Sequence, residues 1–168
     1  MDQHTYSADV VEVTIKGAFA TQHEFWAGEK CLGELKLKFG KLQGEFEGHQ
    51  GERYAVEQLS FWKRDFVIRD DEKILGRANP PKNFSPRLVI EFEGEGYECS
   101  PVGFWARKWV LKDILGEVLM VMEPRGMFKR GAYLQIYKSI PLGLLVFFYT
   151  LVNKRWQEQS ATSTAAAA

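Results

Sequence analysis

With 168 residues, 45% of them apolar and 14% aromatic, the chain is long enough to bury the core of one domain, which excludes dependence on disulfide or metal staples. Lys and Arg total 22 against 22 Asp and Glu, so no global field points to nucleic acid and none is expected as a partner. Cys31 and Cys99 are too few for a disulfide framework and have no metal-ligand spacing, so free thiols in a reducing, cytoplasmic setting are expected.

Residues 1–9 carry no basic start followed by an apolar run, so no signal peptide is expected there, only a flexible segment. From Val10 onward short strand candidates follow one another: Val10–Lys16, His23–Trp26, Cys31–Phe39, Gln43–Glu47, Arg53–Leu59 and Phe61–Asp70. Lys73–Ala78, Arg87–Glu93, Tyr97–Ser100, Gly103–Lys112, Glu117–Met122 and Met127–Lys138 complete about a dozen. Turn chemistry bounds them, with Asn79-Pro80-Pro81-Lys82-Asn83 the clearest loop and Gly94-Glu95-Gly96 a hairpin turn. Short strands at this spacing predict an all-β barrel or sandwich.

The exception is Ser139–Trp156, apolar on every side through Ile140, Leu142, Leu144, Leu145, Val146, Phe147, Phe148, Leu151 and Val152. A helix of that kind must be enclosed by protein or by lipid. About fifteen residues lie between Lys138 and Lys154, giving roughly 22 Å of helix against a hydrocarbon core of roughly 30 Å, which favours protein. Ser139 is placed as N-cap with Pro141 in the first turn, and Lys154 and Arg155 sit where cations complement a helix C-terminus. The expected organisation is a barrel domain over 10–157 wrapped around a central helix at 140–156, followed by a disordered tail at 158–168.

Phe61-Trp62-Lys63-Arg64-Asp65-Phe66-Val67-Ile68-Arg69-Asp70 leads through a turn to Ile74-Leu75-Gly76. Phe104-Trp105-Ala106-Arg107-Lys108-Trp109-Val110-Leu111-Lys112-Asp113 leads directly to Ile114-Leu115-Gly116, and Phe25-Trp26 through Cys31-Leu32-Gly33 is a fainter copy. A period of about forty residues marks a repeated supersecondary unit. Read as strands, the first two copies place Trp62, Arg64, Phe66 and Ile68 on one face, and Trp105, Arg107, Trp109 and Leu111 on another. Arg64 and Arg107 would then each stack between aromatics, either as part of a structural hairpin or as the base of an anion site. Asp70 and Asp113 fall where aspartate caps its own turn.

The repeated strand-turn-strand motif, followed by an apolar helix reached through Ser139-Ile140-Pro141-Leu142, resembles the superfamily of tubby C-terminal domains, LURP-one-related proteins and phospholipid scramblases. The resemblance covers about Val10 to Trp156. It implies a closed antiparallel barrel of about twelve strands around a buried hydrophobic C-terminal helix, and a non-enzymatic module recognising phospholipid headgroups at a membrane surface. Scramblases carry an acidic calcium-binding segment before the helix; here Glu123-Pro124-Arg125-Gly126-Met127-Phe128-Lys129-Arg130 is basic. No phosphoinositide-binding residue of tubby proteins maps onto a particular position.

Arg125, Lys129 and Arg130, beside Met127 and Phe128, form a connection suited to an anionic membrane surface or, alternatively, an ordinary solvated turn. A scaffold for a protein partner without any lipid affinity and an enzyme of unrecognised type are the alternative expectations. Glu45 with Glu47, and Glu91 with Glu93 and Glu95, recur at strand spacing and are expected on the outer surface rather than as a glycosidase pair. His4, His23 and His49 are far apart, with no ligand spacing between them. No nucleophile elbow, phosphate loop or dinucleotide fingerprint occurs, so no enzyme chemistry and no cofactor are expected.

Overall fold

The structure, a computed structural model, describes residues 5–6, 9–19, 21–38, 40, 42–60, 62–82, 85–105, 107–126 and 129–167. His4, Phe39, Phe61, Asn83, Ala106, Met127 and Phe128, which figure in the sequence reading, lie outside them. In chain order the elements are β1 (Thr5–Tyr6), β2 (Val10–Lys16), β3 (Gln22–Ala27), β4 (Lys30–Lys38) and β5 (Gln43–Gly48). Next come β6 (Arg53–Ser60), β7 (Asp65–Asp70), β8 (Lys73–Asn79) and β9 (Leu88–Phe92). The last are β10 (Glu95–Val102), β11 (Lys108–Asp113), β12 (Val118–Pro124), β13 (Gly131–Ile136), β14 (Ile140–Pro141) and α1 (Leu142–Ala167). Strands β2 to β13 pair antiparallel in sequence order and close into a twelve-stranded barrel through β13 against β2.

Alternation decides what fills the barrel. Along β5 and β9 every second residue is buried, so Phe46, Leu88, Ile90 and Phe92 point inward while Glu45, Glu47 and Glu91 face out. The carboxylates are thus surface charges, as their spacing predicts. Residues 142–153 of α1 are buried at every position, which only a surrounding wall can achieve for three successive turns. Phe25 meets Phe46 edge-on at 5.5 Å and Tyr149 of the helix at 5.0 Å, so wall and helix share one aromatic column. Removing one buried ring such as Phe147 or Phe148 from so close-packed an interior costs about 3–5 kcal/mol. Among the described residues no helix is long and apolar enough to cross a membrane.

The repeat has a structural counterpart, in a different register from the motif. Ladder bulges fall between Phe25 and Trp26, Ile68 and Arg69, and Leu111 and Lys112, 43 residues apart at both steps. In each case the extra residue on the facing strand is a leucine: Leu32, Leu75 and Leu119. Their carbonyls accept from the N–H of His49 (2.9 Å), Glu93 (2.7 Å) and Tyr137 (2.9 Å), the residues that follow β5, β9 and β13. The barrel is therefore three four-stranded units that share one leucine bulge at the same place, and the second unit has a further bulge at Leu59, between β6 and β7. Ile114-Leu115-Gly116 is not the third copy of Ile74-Leu75-Gly76. It forms the turn after β11, closed by Asp113 Oδ1 accepting from the N–H of Leu115 and of Glu117, both at 2.9 Å.

Several boundaries move. Ser139 does not cap the helix, because Tyr6 and Thr5 pair with Ile140 and Pro141 and hold them extended, so part of the expected flexible N-terminus is a strand. The helix runs on to Ala167 where a disordered tail was expected. No proline follows Pro141, alanine is the best helix former, and Thr162, Ser163 and Thr164 donate to the carbonyls of Glu158, Gln159 and Ser160 at 3.0 Å. The hairpin turn expected at Gly94-Glu95-Gly96 is Glu93-Gly94, both with positive φ.

Candidate functional site

In an antiparallel barrel successive connections alternate between the two ends. The end where α1 begins holds the connections 28–29, 49–52, 71–72, 93–94 and 114–117, together with the segments flanking β13 and β2. Among the described residues of these segments Glu29, Glu52, Asp71, Glu72, Glu93, Glu117 and Asp9 stand against His49 and one lysine, Lys138, which pairs with Glu117, while Arg53 and Lys73 adjoin them at the strand starts. The end where α1 leaves holds 17–21, 39–42, 61–64, 80–87, 103–107 and 125–130. The described residues of these connections include Lys63, Arg64, Lys82, Arg87, Arg107, Arg125, Lys129 and Arg130, and no carboxylate, while Glu158 of α1 lies at the same end and pairs with Lys154 and Arg155. A chain of zero net charge is thus strongly polarised along its barrel axis.

The four arginines and one lysine singled out in the sequence, Arg64, Arg107, Arg125, Arg130 and Lys129, all lie at this basic end, but not in the geometry expected. Arg64 and Arg107 are not on strand faces between aromatics, because β7 begins at Asp65 and β11 at Lys108. Ser60 Oγ accepts from the Lys63 N–H at 3.3 Å, and Arg64 takes a left-handed backbone with φ of 52°, so the chain turns where alternation suggested a strand. Phe66, Ile68, Trp109 and Leu111 do share the inward face. Arg125 is committed to the fold: its guanidinium lies 2.5 Å from Glu12 and donates to the Arg130 carbonyl at 3.1 Å. Arg130 donates to the Gly17 carbonyl at 3.1 Å, whereas Lys129 is exposed.

The same end carries the exposed aromatic rings. Trp62 is 89% exposed, Phe104 93%, Trp105 79% and Phe19 76%, and Phe104 meets Trp105 edge-on at 5.5 Å. The opposite end exposes Ile114, Leu115, Tyr137 and, at the start of β2, Val10 among large apolar side chains of the described residues, and no tryptophan or phenylalanine. Sequence reading missed both these exposures and Arg155. Lys154 and Arg155 are not at a helix C-terminus: Lys154 Nζ donates to the Gly40 carbonyl at 3.3 Å, and Arg155 Nη2 to those of Ser85 (3.3 Å) and Pro86 (3.5 Å). Burial, then the charge of Arg64, pushes the Arg155 guanidinium below its ordinary range. The signal that finds this end in a sequence is the sign of charge summed over alternate hairpin turns.

His23 Nδ1 lies 2.5 Å from the Tyr149 hydroxyl inside the barrel, and burial pushes that phenol up, as it does the Cys99 thiol. Burial also pushes Tyr54, beside the start of α1, up to about 12. Both cysteines are free, and among the described residues no group of His, Cys, Asp and Glu is placed to hold a metal. Compared with family models, with curated proteins and with solved structures, the chain matches none.

Proposed function

We propose that the protein is a non-enzymatic module that docks on anionic phospholipid surfaces through the end of the barrel from which α1 leaves, as a tubby-like, LURP-one-related or scramblase-like domain would. The observation that carries this reading is the coincidence, at one end, of basic connections without a carboxylate and four exposed aromatic rings. Lys and Arg near an anionic leaflet each add about 1 kcal/mol of attraction. Aromatic rings with a polar edge settle at the headgroup level. The rigid barrel holds both at one height, and the acidic far end orients the approach.

Liposome flotation tests it. The full chain should float with vesicles of phosphatidylcholine containing phosphatidylserine and stay behind with phosphatidylcholine alone, with binding falling as salt rises. Equal recovery on both vesicles, or none on either at low salt, would remove the membrane reading.

A further inference from the structure

Strand β11 is flanked at both ends by an exposed apolar pair. Phe104 and Trp105 precede it at the basic end, and Ile114 (78% exposed) and Leu115 (86%) follow it at the acidic end. Single exposed apolar residues are ordinary, whereas two side by side form a patch. The Asp113 hydrogen bonds that close the second turn require nothing apolar at 114 and 115. The Phe104-Trp105 pair forms one wall of an open cavity of about 630 Å³, bounded on the other side by Pro86 and the outer side of α1 at Gln159, Thr162 and Ser163. Of the two arginines that reach this recess, Arg155 is held by the carbonyls of Ser85 and Pro86 and by Glu158. Arg64 pairs with no carboxylate among the described residues. The recess therefore suits an apolar group with a negative charge beside it.

That complement stands at the other end of the same molecule. The turn after β11 presents two bare aliphatic side chains beside Asp113, a carboxylate that no basic side chain among the described residues pairs with. We infer that the chain associates head to tail, with the Ile114-Leu115 turn of one copy seated in the recess between Trp105 and α1 of the next. The aliphatic pair then packs on the rings, and Asp113 faces Arg64. Two properties of the whole molecule favour a second copy as the occupant. Its net charge is zero, so copies do not repel, and its axial polarity draws the acidic end of one toward the basic end of another. Because α1 runs on past the basic end, a flush stack of barrels is blocked, but the recess lies to the outer side of the helix and leaves the incoming turn a way in. The two patches differ and sit at opposite ends, so the contact is heterologous and every added copy leaves one turn and one recess unfilled. Filling the recess covers part of the proposed docking face, yet the association itself needs no membrane.

One turn in one recess is smaller than the roughly 1,200 Å² of a stable complex, so association is transient, and sedimentation velocity from about 10 μM to about 1 mM reads it. Without lipid, the sedimentation coefficient of the full chain should rise with concentration past the dimer value, and rise less at high salt. Ile114→Ser combined with Leu115→Ser should keep the chain monomeric, as should Trp105→Ala, while Arg64→Gln weakens association about fivefold. All these side chains are exposed or partly exposed, so urea midpoints should stay at the parent value. Mixing the turn variant with Trp105→Ala is the decisive step. The intact recess of one takes the intact turn of the other, so the mixture should form dimers and stop there. A parent chain that stays monomeric over the whole range overturns the inference, as does association that either variant leaves unchanged. With unchanged urea midpoints, loss in both variants without restoration on mixing overturns it too, because a contact between like patches cannot be complemented. Since no vesicle is present, none of these results bears on the flotation test of the membrane reading.

Discussion

At the acidic end three of the hairpins turn in two residues, Gly28-Glu29, Asp71-Glu72 and Glu93-Gly94, whereas no connection at the basic end is shorter than the four residues of 39–42 and 61–64. The tight turns need positive φ, met at Gly28, Asp71, Glu93 and Gly94, and that requirement already favours small and acidic residues. Part of the acidic character is therefore a by-product of folding. The longer connections also turn through positive φ, at Gly17, Gly40, Arg64, Gly103 and Gly126, but meet it with glycine or arginine and never with a carboxylate. Nothing in their geometry asks for the exposed rings of Phe104 and Trp105 or for Arg64 and Arg107, and a cluster of this kind on a water-facing surface fits the proposed docking face.

The harshest way to break the contrast is to neutralise it. Changing Lys63, Arg64, Arg107 and Lys129 together to glutamine should remove about 4 kcal/mol of attraction, lowering partition onto phosphatidylserine vesicles by about three orders of magnitude. Converting Glu29, Asp71 and Glu72 to their amides should leave partition within about fivefold. Sedimentation at low salt compares the two, and equal losses would mean that the ends do not differ in function.

A smaller effect separates rings from charges. Embedding about half of an exposed indole buries roughly 80 Å², or about 2 kcal/mol, so Trp62→Ala should weaken vesicle binding about thirtyfold. That loss should persist at high salt, where the charge effect fades. Serine at the exposed Ile114 and Leu115 of the acidic end should change nothing. A salt-sensitive loss at Trp62, or an equal loss at Ile114 and Leu115, would show that the rings are not inserted.

What was legible in the chain follows from how local each signal is. The helix and its enclosure could be read because Leu144 to Val152 leave no polar side, and the strand count because turn chemistry lies between the strands. Phe-Trp-x-Arg misled because alternation looks the same whether residues enter a strand or a turn; Ser60 and the left-handed Arg64 decide it, and neither shows as a pattern. The leucine bulge hid behind the more visible Ile-Leu-Gly, since one extra residue in the third turn displaces Leu119 from the motif. Arg64, Arg107 and Lys129 were found as separate candidates, yet their shared end appears only once the connections are sorted by parity. Arg155 was read as a helix-end cation because the continuation of α1 through small polar residues and alanines gave no amphipathic stripe.

The smallest effect concerns a cation that the basic end holds in reserve. Lys16, at the tip of β2, donates to Glu24 at 2.7 Å, and Trp26 Nε1 donates to the same carboxylate at 3.2 Å. The bond from Lys16 holds the Glu24 carboxyl below the usual carboxylate range against the opposing pull of burial, and the Lys16 amine is held above its ordinary value by the same bond. Glu24→Gln frees one positive charge beside the loop 17–21, so binding to phosphatidylserine vesicles at low salt should rise by about three- to fivefold. Its effect on stability has the opposite sign. A carboxylate with a depressed folded pKa stabilises above its unfolded pKa of about 4.3, and that contribution is lost as pH falls through the folded value. The amine, raised in the fold, contributes below its unfolded pKa of about 10.4 and loses that contribution as pH climbs through its folded value. Urea midpoints of the parent and of Glu24→Gln should therefore differ at about pH 7 and converge at about pH 3. If the midpoints behave so while vesicle binding does not rise, Lys16 lies too far down the wall to reach a docked surface, and the face is confined to the connections.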